Sequence, residues 1–188
     1  MPKAAKILEL GCASGELLKD LLAAGYSNLD FVDIDDYLDY DEVKSLAKLK
    51  KIDLNKDSLP YTDNSFDICL AIAIFEHLEN PWLFEREVSR VLKKSGRLLL
   101  ALPHNFNILD GMQFLFTGNL SGYGPDNNHI TLQTRDVFNK CWLKDFKIEK
   151  GIYSPGFVKI FGMKFSLPNH KFVNKLFGRK ALYILEKR

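Results

Sequence analysis

The chain has 188 residues, of which 46% are hydrophobic, so it is long and apolar enough to bury the core of one domain. Its longest apolar run, from Ile68 to Phe75, is too short to cross a bilayer, and its three scattered cysteines contain no C-x-x-C pair. Composition therefore excludes a membrane-spanning helix and a disulfide-rich scaffold. We predict a soluble, cytoplasmic protein with a single domain over residues 1–188.

Charge is divided unevenly along the chain, although the formal net charge is only +2. Residues 1–139 hold 14 Lys/Arg against 21 Asp/Glu, a balance of −7, whereas residues 140–188 hold 12 against three, a balance of +9. The C-terminal quarter is therefore predicted to form a basic face.

Residues 6–33 predict a strand, a glycine-containing loop, a helix and a second strand. A short apolar run stops at Gly11, leucines then recur at helical spacing, and the run from Leu29 to Val32 ends in Asp33. This arrangement is typical of a nucleotide site. Small loop residues let backbone N–H groups approach a ligand, and an acid at the end of the second strand receives ribose hydroxyls.

The glycine spacing narrows the choice of ligand. Gly11, Ala13 and Gly15 fall at relative positions one, three and five, whereas a dinucleotide fingerprint needs glycines at one, three and six. Position six is Glu16, which argues against an NAD-linked oxidoreductase. The methyl group of Ala13 is tolerated at the middle position if its φ is negative.

The segment ELGCASG resembles the first motif of the class I S-adenosylmethionine-dependent methyltransferases, which is an acid, an apolar residue and then G-x-G-x-G. The resemblance implies that the loop wraps the methionine part of the cofactor S-adenosylmethionine, that Glu9 helps to anchor it and that Asp33 binds the ribose. The residues that it implies for cofactor binding are Glu9, Gly11, Cys12, Ala13, Gly15, Asp33, Ile34, Asp53, Leu54 and Ala71.

The next two strands are predicted at Lys51–Leu54 and at Phe66–Ile74. The second is apolar except for Asp67, as a central parallel strand needs. The resemblance places Asp53 opposite the adenine amino group and the N–H of Leu54 near a ring nitrogen. The spacing to the following Leu-Pro pair leaves Asn55 as the alternative to Asp53. The segment AIAIFEHLENP resembles the strand-four exit of quinone-biosynthesis methyltransferases, which lines the methionine end of the cofactor and the acceptor.

The C-terminal half completes the predicted fold. Asn80 and Pro81 predict a helix start, residues 97–102 a fifth strand, and residues 146–152 and 181–185 two antiparallel edge strands. Residues 103–138 resemble the same region of compact MetW-like methyltransferases. We predict a Rossmann-like, doubly wound α/β sheet of seven strands with the last antiparallel. Residues 6–103 form its cofactor half and residues 104–188 its acceptor half, which includes a basic insert at about 154–178 without clear periodicity.

Three histidines follow predicted strands or precede a helix on the side where ligands bind. Methyl transfer from a sulfonium is a direct displacement, so a base is needed only when the acceptor is weakly acidic. His77, His104 and His129 are the candidates, and each also has a structural alternative as a capping, solvated or packing residue. Glu76-His77 matches part of the E-x-x-E-H metal pattern of some methyltransferases, but Ala73 replaces its first acid, so we predict no metal site.

Partners and function follow from these patterns. Only five residues precede the first strand, so we expect another part of the chain or a second copy in a homodimer to cover the cofactor. The lysines of the basic insert suit either solvent alone or an anionic membrane or phosphate-bearing substrate; no nucleic-acid module accompanies them. We expect methyl transfer to a small-molecule, lipid-linked or sugar-linked acceptor, and the alternative is a non-catalytic partner protein with this fold.

Overall fold

The structure, a computed structural model, describes residues 2–105, 107–160 and 163–188, with side chains except at 157–160 and 163–165. Strands and helices alternate along most of its length, as the sequence predicts. In chain order they are β1 (Ile7–Leu10), α1 (Glu16–Ala23), β2 (Leu29–Asp33), α2 (Asp41–Lys44), β3 (Leu49–Lys51), β4 (Phe66–Ile72), α3 (Pro81–Val91), β5 (Leu92–Pro103), α4 (Ile108–Thr117), α5 (Arg135–Trp142), β6 (Phe146–Tyr153), β7 (Phe157–Ile160), β8 (Met163–Ser166), α6 (Lys171–Phe177) and β9 (Lys180–Lys187).

Seven strands form one sheet in the order β3-β2-β1-β4-β5-β9-β6. The neighbours from β3 to β5 pair in parallel, whereas β9 pairs antiparallel with both β5 and β6. The predicted fold class is therefore confirmed. The chain winds outward in both directions from the β1–β4 pair, and a parallel sheet opens a ligand crevice beyond the carboxyl ends of its strands at such a switch point.

Helices cover both faces of the sheet because the central strands are apolar on both sides. On one face, Leu18 of α1 and Val43 of α2 pack with Ile7 of β1. On the other face, Val88 of α3 and Trp142 of α5 pack in the cluster that contains Leu8. Because the two cores hold the central strands in place, they also fix the positions at which the loops after β1, β2 and β4 begin.

Strand β3 differs from its prediction. The sequence places it at Lys51–Leu54, but β2 pairs Phe31 with Leu49 and Asp33 with Lys51. The Ile52 N–H still donates to the Asp33 carbonyl at 2.7 Å, and the pairing then ends because the chain turns at Asp53, whose carbonyl accepts from the Lys56 and Asp57 N–H groups. The correction matters for the site, since it moves residues 53 and 54 from the strand into the loop beyond its end.

The basic insert at 154–178 contains structure that its sequence does not indicate. Strands β7 and β8 form an antiparallel hairpin, and α6 follows. The Ser154 N–H donates to the Lys180 carbonyl at 2.9 Å and the Lys180 N–H to Ser154 Oγ at 3.1 Å, so the two ends of the insert are joined. The insert is thus a closed excursion from the β6–β9 edge.

Candidate functional site

The loop after β1 has the backbone that a close ligand approach requires. Gly11 and Gly15 have φ values of 75° and 80°, which side-chain-bearing residues rarely adopt. A Cβ on Gly11 would lie 2.8 Å from Ile74 Cδ1, so the loop contacts the segment after β4. Two constraints, conformation and space, therefore demand glycine at position 11.

Ala13 departs from the conformation expected of it. Its φ is +45°, in the left-handed region, whereas the sequence argument required a negative value. The conformation is held because the Ala13 N–H donates to Asp33 Oδ2 at 2.8 Å. Ala13 therefore keeps the backbone path of a glycine loop at a cost in strain of about 1–2 kcal/mol.

Asp33 joins this loop to the end of β2. Its Oδ2 accepts from the Ala13 N–H, and its Oδ1 accepts from the Ile34 N–H at 2.7 Å. The side chain is buried, with 9% of its area exposed. Each carboxylate oxygen can accept a second hydrogen bond, so Asp33 can bind two neighbouring ligand hydroxyls while it holds the loop.

Glu9 and Cys12 are buried beneath the loop. Desolvation, together with the nearby charge of Asp33, raises the pKa of Glu9 to about 8. Burial, with smaller contributions from Asp33 and Glu9, raises the pKa of the Cys12 thiol to about 12. Among the described residues Glu9 Oε2 has no hydrogen-bond partner, as expected of an acid that is completed by a ligand cation.

The first cavity, of about 300 Å³, lies beyond the ends of β1, β2 and β3. It brings together the predicted Gly11, Asp33, Ile34, Asp53 and Leu54. Ile52, Ile74 and Leu78 add apolar walls that the sequence argument did not single out; Asn55, His77 and Asn128 complete the lining. This cavity has the composition of a nucleoside site, with acids on one side and apolar walls on the other.

Two predicted positions change in detail. Ala71 is fully buried in β4 and does not line the cavity, because Ile74, after the end of the strand, takes that place. Asn55 Oδ1 accepts hydrogen bonds from the backbone N–H groups of Glu79 and Asn80. Asp53, in the turn after β3, also lines the cavity. These bonds tie Asn55 to the start of α3 and favour Asp53 as the adenine-facing residue.

A second cavity, of about 350 Å³, lies next to the first beyond β4 and β5. Its floor is apolar, with Ile72, Ala101 and Leu102. Its polar groups come from several segments: Glu76, Asn105, Asp110, Ser121, His129, Arg179 and Lys180. Of these, only His129 was predicted as a site residue; Glu76 follows β4, and the others come from segments after β5 that are distant in sequence.

The wall between the cavities contains two of the three predicted histidines. His77 lines the first cavity, and Glu76 and His129 line the second. The two imidazole rings meet edge to face with centroids 4.7 Å apart, and His129 Nε2 lies 3.9 Å from Glu76 Oε1. This wall is where an acceptor in the second cavity would meet a methyl donor in the first.

Backbone bonds hold the wall together. The N–H groups of Ile130 and Thr131 both donate to the Glu76 carbonyl, at 2.8 and 3.0 Å. His129 Nδ1 lies 2.6 Å from the Gly122 carbonyl and His77 Nδ1 lies 3.3 Å from that of Asn128. A carbonyl only accepts, so each Nδ1 donates and each Nε2 carries the free lone pair.

Glu76, His77 and His129 are also the one group among the described residues whose ligand atoms lie close enough, within 4.8 Å of one another, to hold a metal ion. The expectation of no metal site allowed for His129 beside Glu76 and His77, and it rested on one carboxylate and two histidines being too few for a complete ligand shell. The set still contains a single carboxylate, so absence of a metal remains a prediction.

His104 lies apart from the other two histidines. It is buried and lines neither of the two cavities. Its Nε2 lies 2.9 Å from the Lys175 carbonyl and its ring packs on Tyr153. Desolvation lowers the pKa of His104. These contacts fix α6 against β6, so His104 has a packing role and is not the solvated loop residue that its structural alternative described.

Comparison with known proteins identifies the kind of domain that the chain contains. The family model described as a methyltransferase domain matches residues 8–100. A probable S-adenosylmethionine-dependent methyltransferase of Mycobacterium tuberculosis is 30% identical over 105 residues, which are 56% of this chain and 38% of that protein. An uncharacterized methyltransferase of the same species is 41% identical over 44 residues, 23% of this chain and 17% of its own length. The chain thus spans well under half the length of these relatives.

Solved structures share the fold over the whole chain. The MccD protein covers 100% of this chain, with 92% of its own length, a TM-score of 0.67 and 16% identity. A methyltransferase of Methanosarcina mazei, described as S-adenosylmethionine-dependent, covers 100% of the chain and 94% of its own, with a TM-score of 0.65 and 19% identity. These likenesses concern the fold alone.

The matched family, the glycine loop and the acid at the end of β2 agree with one another. Residues 8–100 form a methyltransferase domain, and this part of the chain belongs to the class I S-adenosylmethionine-dependent methyltransferases. The cofactor of the family is S-adenosylmethionine, and the residues that line the first cavity fit it: Asp33 suits the ribose, and Asp53 and the apolar walls suit the adenine. Glu9 does not line this cavity, but its unpartnered Oε2 suits a cation at the methionine end.

Asp33→Asn should weaken S-adenosylmethionine binding by about 1.5–3 kcal/mol, because one carboxylate oxygen becomes a donor. Asp35→Asn is the control, since the exposed Asp35 carboxylate bonds to Lys51 and does not line the first cavity. Isothermal calorimetry measures both affinities. Equal affinities for the two variants would remove Asp33 from the ribose site.

Ala13→Gly should stabilise the loop by up to about 1 kcal/mol, because it relieves the left-handed strain. Ala47→Gly is a matched control, since Ala47 has a φ of 48° but lies at the end of α2 and does not line the first cavity. The midpoint temperature of thermal unfolding should rise slightly for both variants, and only Ala13→Gly should bind the cofactor more tightly. An unchanged affinity would show that loop strain does not oppose binding.

Glu9 should link proton release to cofactor binding. Its pKa of about 8 in the ligand-free protein lies above the value of 4.5 expected when unfolded, so its contribution to stability is present below about pH 4.5 and is lost as the pH rises towards 8. A cofactor cation beside Glu9 lowers this pKa. Calorimetry in buffers of different ionisation enthalpy should detect proton release near pH 7, and Glu9→Gln should abolish it; equal release by both proteins would contradict the assignment.

Proposed function

We propose that this protein transfers the methyl group of S-adenosylmethionine to a small, partly apolar acceptor, free or linked to a lipid or sugar, that occupies the second cavity. One observation carries the proposal: the two cavities meet at a wall made of Glu76, His77 and His129. Alignment of acceptor, methyl carbon and sulfur supplies most of the catalysis in a direct displacement. S-adenosylmethionine supplies the methyl group when bound in the first cavity.

The lining of the second cavity favours an acceptor with an apolar body and an anionic group. Ile72, Ala101 and Leu102 suit the apolar body, and Arg179 and Lys180 supply positive charge. These two cations stand at the end of the basic insert. Lys171 and Lys175 do not line this cavity, and the side chains of Lys159 and Lys164 lie outside the described residues, so the predicted role of the insert lysines in acceptor binding stays a proposal.

His129 is the residue best placed to remove a proton from the acceptor. Its Nδ1–H donates to the Gly122 carbonyl, so its Nε2 is free to accept a proton, and Glu76 Oε1 at 3.9 Å would stabilise the resulting imidazolium. In this arrangement a backbone carbonyl orients the ring through Nδ1, and the Glu76 carboxylate lies on the Nε2 side. An acceptor with a hydroxyl or another weakly acidic group therefore fits the site best.

The alternative function is that of a non-catalytic protein with the same fold. An assay of methyl-transfer turnover distinguishes it from the proposed enzyme. The purified protein should form S-adenosylhomocysteine from S-adenosylmethionine when pools of phenols, hydroxy acids and lipid extracts are added. Mass spectrometry would identify the methylated product. Cofactor binding with no turnover above the acceptor-free rate in every pool would favour a regulatory or scaffolding protein.

His129→Asn should lower kcat by about 10²–10⁴-fold with the productive pool, because the proton acceptor is lost while the cofactor cavity is unchanged. His170→Asn is the control, since His170 is exposed at the start of α6 and lines neither cavity. A chelator should leave the wild-type rate unchanged. A rate that falls with chelator and returns with zinc or magnesium would make Glu76, His77 and His129 metal ligands instead.

A further inference from the structure

Helix α4 presents an apolar surface to solvent near the second cavity. Leu115 and Phe116 are 81% and 83% exposed, and Met112 and Phe114 are also exposed. The single charged residue of α4, Asp110, is buried and accepts hydrogen bonds from Asn107 and Ser121. The exposed part of the helix is therefore uncharged and apolar, which soluble surfaces rarely show in one contiguous patch.

The direction of these side chains bears on what covers them. Phe114, Leu115 and Phe116 are consecutive, so successive side chains point about 100° apart around the helix axis and together span roughly 200°. A groove on another protein covers one stripe of a helix, about half that arc. A fluid layer of acyl chains can surround the whole exposed end.

Positive charge lies beside this apolar surface. Helix α4 packs against α6, whose Lys171 and Lys175 are exposed and whose Phe172 is 65% exposed. Helix α6 contains no acidic residue, and its bounds fall within the segment that carries the +9 balance. Apolar side chains flanked by lysines are the composition of a surface that binds anionic lipid headgroups.

We infer that α4, from Met112 to Phe116, and α6, with Lys171 and Lys175, form a docking surface for an anionic lipid bilayer. No helix among the described residues is long and apolar enough to span a bilayer, so α4 would lie in the interface. Asp110, in the first turn of α4, and Ser121, which follows the helix, also line the second cavity. A docked protein would therefore hold that cavity near the membrane surface. Docking rests on this surface alone, whereas the delivery of an acceptor rests on the proposed function.

Vesicle sedimentation tests the inference with the full chain. Wild type should bind vesicles of phosphatidylcholine mixed with phosphatidylglycerol at low salt and bind several-fold less at high salt, because ions screen the lysines. Leu115→Ser/Phe116→Ser should lose binding at every salt concentration. Lys171→Glu/Lys175→Glu should lose about ten-fold on the mixed vesicles. Trp82→Gln and Lys44→Glu/Lys94→Glu, which alter exposed residues of α3, α2 and β5, should bind as wild type does.

Thermal unfolding and cofactor affinity should be the same for all five proteins, because the altered side chains are exposed and line neither cavity. Sedimentation of the Leu115/Phe116 variant at the wild-type level, or no binding by wild type, would overturn the inference. A wild-type dimer in solution that this variant converts to a monomer would show instead that a second copy covers α4. If the protein binds vesicles but does not transfer methyl groups, the docking inference holds and only the proposed function is contradicted.

Discussion

The candidate site depends on one interaction, the pair of hydrogen bonds by which the Asp33 carboxylate holds the backbone at Ala13 and Ile34. These bonds connect the end of β2 to the loop after β1, and the loop in turn contacts Ile74 beyond β4. Three strand ends are thereby fixed around one cavity. The same carboxylate keeps unused acceptor capacity toward that cavity, so a structural constraint and a binding function coincide in one side chain.

The electrostatics of the site favour a cationic ligand. Glu9 is buried near Asp33, and its pKa is raised first by desolvation and second by the charge of Asp33, so an ionised Glu9 is costly without a neutralising partner. A ligand with an ammonium or sulfonium group removes that cost, whereas a pyrophosphate would increase it. The glycine spacing and the buried acids therefore point the same way, to S-adenosylmethionine over a dinucleotide.

Much of the N-terminal half could be predicted because its signals are local. The apolar runs, Gly11, Gly15, Asp33 and the Asn80-Pro81 helix start each depend on a few neighbouring residues, and the structure contains the elements that they predict. Strand β3 was misplaced because Ile52 and Leu54 alternate like a strand, while the register with β2 ends the pairing at Lys51. The φ of Ala13 was likewise set by a distant carboxylate and not by its own side chain.

The acceptor side could be predicted only in part because it is assembled from segments far apart in sequence. His129 reaches Glu76 through backbone bonds at Ile130 and Thr131, and the sequence carries no sign of that pairing. His104 has the right position along the chain, but its side chain turns into the packing between α6 and β6. Sequence position after a strand therefore identified the correct edge of the sheet and not the direction of each side chain.

The central claim is that the first cavity binds S-adenosylmethionine, and direct calorimetric titration of the purified protein tests it most simply. The account predicts one site that binds S-adenosylmethionine and S-adenosylhomocysteine and does not bind NAD. Binding of NAD at that site, or failure of a folded protein to bind either adenosyl compound, would contradict it.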